Sequence, residues 1–350
     1  FGSSHYVPCS IWSCRSRMGR GAALSLWVST AAWLPLLWAA GCVRARAVAA
    51  GAKIYWSLNW PHKIQRSNLD GTEVEDIHSE ISYPTGLAAD LAGGKLYWSE
   101  EGQLTDSIKR SNFDGSDVEV LLDGYLSWGM AIDAAGGKLY WSNMNAGKIQ
   151  RSNLDGTGVE DLVAEGLAGP AGLALDVERG HVYWCDHTAQ RVQRCRLDGS
   201  GVETLVSGLS FPQGLALDTK RGRLYWTDSG TFKIQRAALD GSGLEDLAMA
   251  ELKDPYSIAV DSESGLLYWS AVGTHYDRRK GTSEDSTNGR IQRSDLNGSH
   301  VVDLVLTGRR KAFSIALVPN PASSSGPGSS SPIAATVCSD ASDACGLPVD

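Results

Sequence analysis

The dipeptide Tyr-Trp begins at Tyr55, Tyr97, Tyr140, Tyr183, Tyr225 and Tyr268, so the interval is 42 or 43 residues every time. A constant period of this length marks one structural unit repeated along the chain, and it constrains the fold more than any local propensity does. The fifth unit, residues 214–249, shows the contents most plainly: GLALD, RLYWT, KIQRAAL and LEDLA, separated by stretches of Gly, Asp, Ser and Thr. Runs of four to seven residues rich in β-formers, bounded by turn residues, read as strands. Asp-Gly (Asn-Gly in the last unit) joins the third run to the fourth, and this dipeptide supplies the positive φ angles of a tight turn. No segment of the unit has helical periodicity. Four short antiparallel strands every 40 to 45 residues are the blade of a β-propeller, so the expected fold is all-β, with six four-stranded blades.

The same residues resemble a known family. Tyr225-Trp226-Thr227-Asp228, with Leu239-Asp240-Gly241 after it, is similar to the class B repeats of low-density lipoprotein receptors, called YWTD repeats. The resemblance covers about 53–318 and implies a six-bladed propeller that binds extracellular ligands or packs against neighbouring modules. The fourth letter varies here, through YWSL, YWSE, YWSN, YWCD, YWTD and YWSA, so only Asp186 and Asp228 keep the family acid.

The order of the runs also predicts how the ring closes. An inner strand ending in Asp90, Asp133, Asp176, Asp218 or Asp261 precedes each of the last five Tyr-Trp pairs. Before Tyr55 the matching stretch, Arg44–Val48, lacks both the Gly and the Asp, whereas a spare inner strand stands at Ser314–Val318. That spare strand is expected to complete the first blade beside Lys53–Ser57 and leave no inner edge unpaired.

Around the 53–318 propeller the expected organisation is an upstream extension or arm at 1–17 and a signal peptide or signal anchor at 18–50. A Ser/Gly/Pro linker at 319–335 and a tail, or the start of a Cys-containing module, at 336–350 follow. The leader reading rests on Arg20, an uncharged run from Gly21 to Val43, and small residues at Ala45, Ala47 and Ala49. It predicts a secreted or cell-surface protein. Residues 53–319 hold 27 Lys and Arg against 37 Asp and Glu, a net charge of −10. Such a surface argues against nucleic acid, whose phosphates require clustered cations.

No HExxH, GxSxG or P-loop string is present, and the seven His are scattered. The residues before the inner strands, Thr85, Trp128, Ala171, Gln213, Tyr256 and Phe313, include neither carboxylate nor imidazole. No catalytic residue, metal or cofactor is expected, and a hydrolase or lactonase on the same scaffold is the alternative. Arg66, Arg110, Arg151, Arg194, Arg236 and Arg293 occupy one repeat position. They are expected to hold their blades rather than form an anion site, and the Tyr-Trp pairs to pack between blades.

Cys185 and Cys195 replace hydroxyl or small residues in one unit, and a disulfide between them is expected in an oxidising compartment, with two buried thiols in place of two hydroxyls as the alternative. Asn297-Gly298-Ser299 is the single glycosylation sequon, with Asn as a positive-φ residue the other explanation. Of the Trp outside the leader and the repeats, Trp60 and Trp128 fall on one face of the meander, the face where the chain enters the inner strands. Tyr256, Phe313, Glu100, Glu101, Asp186 and Asp228 are assigned to the same face. Together they predict an exported, non-catalytic module binding a protein or peptide with basic and apolar groups, the alternative being that the aromatics plug the channel mouth as core. A structural spacer in a larger surface protein is the remaining reading.

Overall fold

The computed structural model describes residues 51–102, 105–247, 252, 254–271, 289–308 and 311–319, and the backbone of 275–277 and 282–284. The arm, the leader, the linker from 320 and the tail with Cys338 and Cys345 lie outside the described residues. The ring consists of six four-stranded antiparallel sheets. Blade 2 is β4 (Tyr83–Asp90), β5 (Lys95–Glu101), β6 (Ser107–Asn112) and β7 (Glu119–Asp123), in that order from the centre outward. Blade 3 is β8 (Gly129–Asp133), β9 (Lys138–Asn143), β10 (Lys148–Asn153) and β11 (Glu160–Val163). Blade 4 is β12 (Pro170–Asp176), β13 (His181–Asp186), β14 (Arg191–Arg196) and β15 (Glu203–Ser207). Blade 5 is β16 (Pro212–Asp218), β17 (Arg223–Asp228), β18 (Lys233–Ala238) and β19 (Glu245–Asp246). Blade 6 is β20 (Pro255–Asp261), β21 (Leu266–Ala271), β24 (Gly289–Asp295) and β25 (Val302–Gly308), with a small hairpin, β22 (His275–Asp277) and β23 (Thr282–Glu284), rising between its second and third strands.

Blade 1 is built from both ends of the repeat array. β1 (Lys53–Asn59), β2 (His62–Asn68) and β3 (Glu75–Ser79) take β26 (Ala312–Val318) as their inner strand, in the order β26-β1-β2-β3. Lys53 pairs with Val318 and Trp56 with Ile315, so the predicted strand closes the ring in the predicted place. Among the described residues there is no helix, and so none long and apolar enough to cross a membrane.

The Tyr-Trp pair now has a physical explanation. Successive residues of a strand point to opposite sheet faces, so each pair sends one aromatic ring to each neighbouring blade. One core layer joins Tyr97 and Ile108 of blade 2 to Ile132 and Trp141 of blade 3, and another joins Tyr225 of blade 5 to Trp269 of blade 6. All six Tyr and all six Trp are fully buried. Truncating such a Trp to Ala costs about 3–5 kcal/mol, so these rings are the glue of the ring and not its binding surface.

A hydroxyl after the Trp ties the inner strands together. Five of the six inner strands carry a bulge at their start, as between Pro84 and Leu87, whereas β8 pairs with β9 in unbroken register. Ser142 Oγ accepts from Gly129 N at the start of its own blade's inner strand at 2.8 Å and donates to Ala171 O of the next blade at 2.5 Å. Thr227 Oγ1 does the same with Gly214 N at 2.9 Å and Tyr256 O at 2.6 Å. The glycine at the start of the inner strand is required because the next inner strand is so near. A Cβ on Gly172 would lie 2.3 Å from Gln213 O, and one on Gly129 2.3 Å from Ala171 O.

The Arg ring is structural, as the sequence suggested. Arg110 donates to Leu154 O of the following blade at 2.7 Å and to Glu119 at 2.8 Å. Arg293 reaches Leu69 O at 3.3 Å and so links the last blade to the first. The turns differ from the expected tight hairpin in detail. Positive φ falls on the Gly, as at Gly71 (85°) and Gly298 (83°), and again two residues later, as at Glu73 and His300. The Asp or Asn is not left-handed. Asp70 Oδ1 instead accepts from Thr72 N at 2.9 Å and Thr72 Oγ1 at 2.6 Å.

The expected Cys185–Cys195 disulfide is corrected. Cys185 stands opposite Val192, and Cys195 opposite Val182. The two are three ladder positions apart, roughly 10 Å at 3.3 Å per residue, and they point to opposite faces of the blade. That exceeds the reach of a disulfide, and both are free, buried thiols. Burial, with smaller contributions from Asp228 and Asp186, pushes the Cys185 thiol far up, and burial pushes Cys195 up to about 12. Cys185 Sγ takes the place of the linking hydroxyl and lies 3.8 Å from Gly214 O.

Candidate functional site

In a meander of four strands, the loops entering the inner strand and those joining strands two and three share one face, here called the mouth face. The Asp-Gly turns lie on the other. At the mouth the inner strands bring aromatic residues from four of the blades together. Phe313 is the hub: its ring centroid is 4.7 Å from Tyr256 and 6.3 Å from Trp128, both edge-on, and 5.9 Å from Tyr83. Edge-to-face contacts at these distances are favourable beyond simple area burial. From Tyr83 the cluster continues through His62 at 5.7 Å to Trp60 at 5.8 Å. Trp60 is 69% exposed, whereas Trp128, Tyr256 and Phe313 are half-buried.

Sequence reasoning named Trp60, Trp128, Tyr256 and Phe313, and the structure brings all four into one connected patch. His62 and Tyr83 were missed. Tyr83 stands two residues before Thr85, and only the bulge in β4 carries its ring to the mouth. Thr85 itself is consumed internally, donating to Ser127 O at 2.7 Å. Beneath the rings is a cavity of about 40 Å³, lined in part by Gln213, Gly214, Gly129 and Ile315. It has room for a few water molecules. The Trp128 indole N–H is buried there and finds no acceptor among the described residues. Burial pushes the Tyr256 phenol well up, with Asp254 and Tyr83 adding to it, so the ring stays neutral.

Three of the four acids assigned to this face are corrected. Glu100, Asp186 and Asp228 are buried, and each holds a loop rather than facing solvent. Asp186 accepts from Gly169 N at 2.9 Å, Ala168 N at 3.2 Å, Ala189 N at 3.2 Å and Arg191 at 3.2 Å. Asp228 accepts from Ser210 N at 2.7 Å and from Thr231 N and Oγ1 at 2.9 Å. Glu100 does the same work in blade 2, taking Ser82 N at 3.2 Å, Trp98 Nε1 at 2.7 Å and Lys109 at 2.9 Å. Asn143 keeps a single such bond, from Ala146 N at 3.0 Å. Only Glu101 remains exposed.

A family model described as low-density lipoprotein receptor repeat class B matches residues 137–177 and 222–262. Those two stretches include the second strands of blades 3 and 5, where the ring-holding pattern of Tyr, Trp and hydroxyl is found. This chain carries low-density lipoprotein receptor class B repeats. The human low-density lipoprotein receptor-related protein 5-like protein is 37% identical to it over 71 residues, 19% of this chain and 27% of that protein. The chain spans between 4% and 30% of the length of the curated relatives it matches.

Among solved structures, a chain of the nidogen/laminin complex aligns with a TM-score of 0.67 at 21% identity, over 77% of this chain and 99% of that one. A gluconolactonase of Xanthomonas campestris aligns at 0.55 and 21%, over 70% and 86%. At such identities both show the propeller fold alone. Within the two matched stretches lie the ring-holding residues Tyr140, Trp141, Arg151, Tyr225, Trp226 and Arg236 and the loop-holding Asp228. The mouth aromatics do not recur at the same position in every blade, and they distinguish this propeller from its own repeat pattern.

Proposed function

We propose that this propeller is an exported, non-catalytic interaction module that binds a protein or peptide on its mouth face. The observation that carries the reading is the aromatic patch led by Trp60, a large ring 69% exposed on the short connection between β1 and β2. Aromatic anchors backed by packed neighbours are the usual centres of binding energy in protein interfaces. The human relative is named a receptor-related protein, and one structural neighbour belongs to a complex of two proteins. Both support a protein partner. Apolar groups of that partner would pack on Trp60, His62 and Tyr83, and a basic group would meet Glu101. With Glu100, Asp186 and Asp228 withdrawn, electrostatics contributes less here than the net charge implies. Trp60→Ala is expected to weaken binding of an isolated partner by about 2 kcal/mol or more, roughly thirtyfold, with an unchanged melting temperature. Unchanged affinity in Trp60→Ala and in Tyr83→Ala would overturn the assignment.

A further inference from the structure

At its tip, the turn of blade 6 replaces the Asp of its five counterparts with Asn297. In blades 1 to 5 an Asp begins the turn tip, and its Oδ1 accepts from the backbone N–H and the hydroxyl two residues on. The pairs are Asp70–Thr72, Asp114–Ser116, Asp155–Thr157, Asp198–Ser200 and Asp240–Ser242. In blade 6 Asn297 occupies the place, and its Oδ1 accepts from Ser299 N at 3.0 Å and Ser299 Oγ at 2.7 Å. The backbone closure is the same, with Asp295 N donating to Ser299 O at 2.9 Å, while His300 adds a contact to Asp295 at 2.8 Å. Asn297 is exposed, and positive φ is carried by Gly298, so a left-handed backbone does not explain the Asn. What the Asn adds is an amide nitrogen. The fold uses only its oxygen, and Nδ2 has no partner among the described residues.

From this geometry we infer that Asn297 is an N-glycosylation site, taking an N-acetylglucosamine-terminated oligosaccharide from a polyprenyl diphosphate donor. Asn297-Gly298-Ser299 has the acceptor sequence, and folded backbone and side chain leave the nitrogen in solvent. In the transfer, Nδ2 attacks C1 of the donor sugar. The N–C1 bond forms as the C1–O bond to diphosphate breaks, the polyprenyl diphosphate leaves with the electron pair, and one amide proton passes to a base of the transferase. The finished glycan would stand on the Asp-Gly turn face at blade 6, the end of the ring away from the mouth aromatics. Its anchor is firm, because Leu296 O accepts from Arg236 of blade 5 at 3.0 Å. The inference does not depend on which face binds a partner.

The test is to secrete the full chain from insect cells behind a host leader, so that export does not depend on residues 18–50. Peptide N-glycosidase digestion in ¹⁸O water should then convert Asn297 to labelled Asp in most of the recovered peptide. Asn297→Asp restores the residue of the other five turns, so it is expected to be secreted and to melt like the parent, and to lose the glycan's gel shift. Ser299→Thr should retain the shift. Secreted protein with an unmodified Asn297 peptide, or a glycan shift that survives in Asn297→Asp, would overturn the inference.

Discussion

His78 shows how one residue breaks the repeat. It stands opposite Ile64 on the outer strand of blade 1, where the matching residue of blade 2 is Leu122. The imidazole stacks on Trp98 at 4.5 Å and shares a hydrogen with Ser111 Oγ at 2.9 Å, both in blade 2. Burial pushes it below its ordinary range; Glu100 opposes this and Lys109 adds to it. The folded protein therefore prefers the neutral ring. Its stability contribution is full above the unfolded value of about 6.5 and is lost as the pH falls from there through the lower folded value. His78→Leu is expected to flatten the fall in urea-unfolding stability between pH 7.5 and 5.5, and an unchanged fall would refute the assignment. Arg110 makes a second residue-scale case. Arg110→Ala leaves the Leu154 carbonyl with only the longer bond from the Tyr97 hydroxyl at 3.3 Å and should cost about 1–2 kcal/mol, whereas Glu119→Ala removes an exposed partner and should cost less than about 1 kcal/mol. Equal losses in chemical denaturation would show that the ion pair, not the carbonyl, holds the blades.

The inner strands carry the ring, and their demands were only partly legible in the sequence. Strand number, order and the closing role of β26 were readable because the same residue types recur six times. The disulfide was misplaced because matching two repeat positions fixes neither register nor sheet face. The loop-holding acids were misassigned for a related reason: a residue ending a strand is equally free, on paper, to turn inward or outward. The bulge glycines were seen as part of a strand, but their purpose depends on the neighbouring blade's backbone. Gly172→Ala is expected to cost about 1–3 kcal/mol by overpacking, because the obstructing atom is a backbone carbonyl. A melting temperature equal to the parent's would mean that the inner strands separate more easily than the geometry implies. Ending the chain after Leu306 removes β26 and exposes the inner edge of β1. It should leave the protein insoluble or grossly destabilised, while ending it after Asn320 should not, and equal melting temperatures would contradict closure by this strand.

For the whole molecule, the two faces have different characters. The turn face repeats one polar motif six times, with Val74, Val118, Val202 and Leu244 spaced singly around it as exposed aliphatics. The mouth face has no such symmetry: aromatic residues from blades 1, 2, 3 and 6 converge there, and Trp60 projects from them. Most of that patch was readable from the positions of non-repeat Trp and Tyr, whereas His62 and Tyr83 entered only through bulge and loop geometry. Amide hydrogen exchange with a purified partner bound tests the central claim most directly, because it reports every blade in one measurement. The account predicts new protection at the loops around Trp60, Tyr83, Trp128, Tyr256 and Phe313, with the six Asp-Gly and Asn-Gly turns unchanged. Protection confined to those turns, with the mouth loops exchanging as in the free protein, would contradict it.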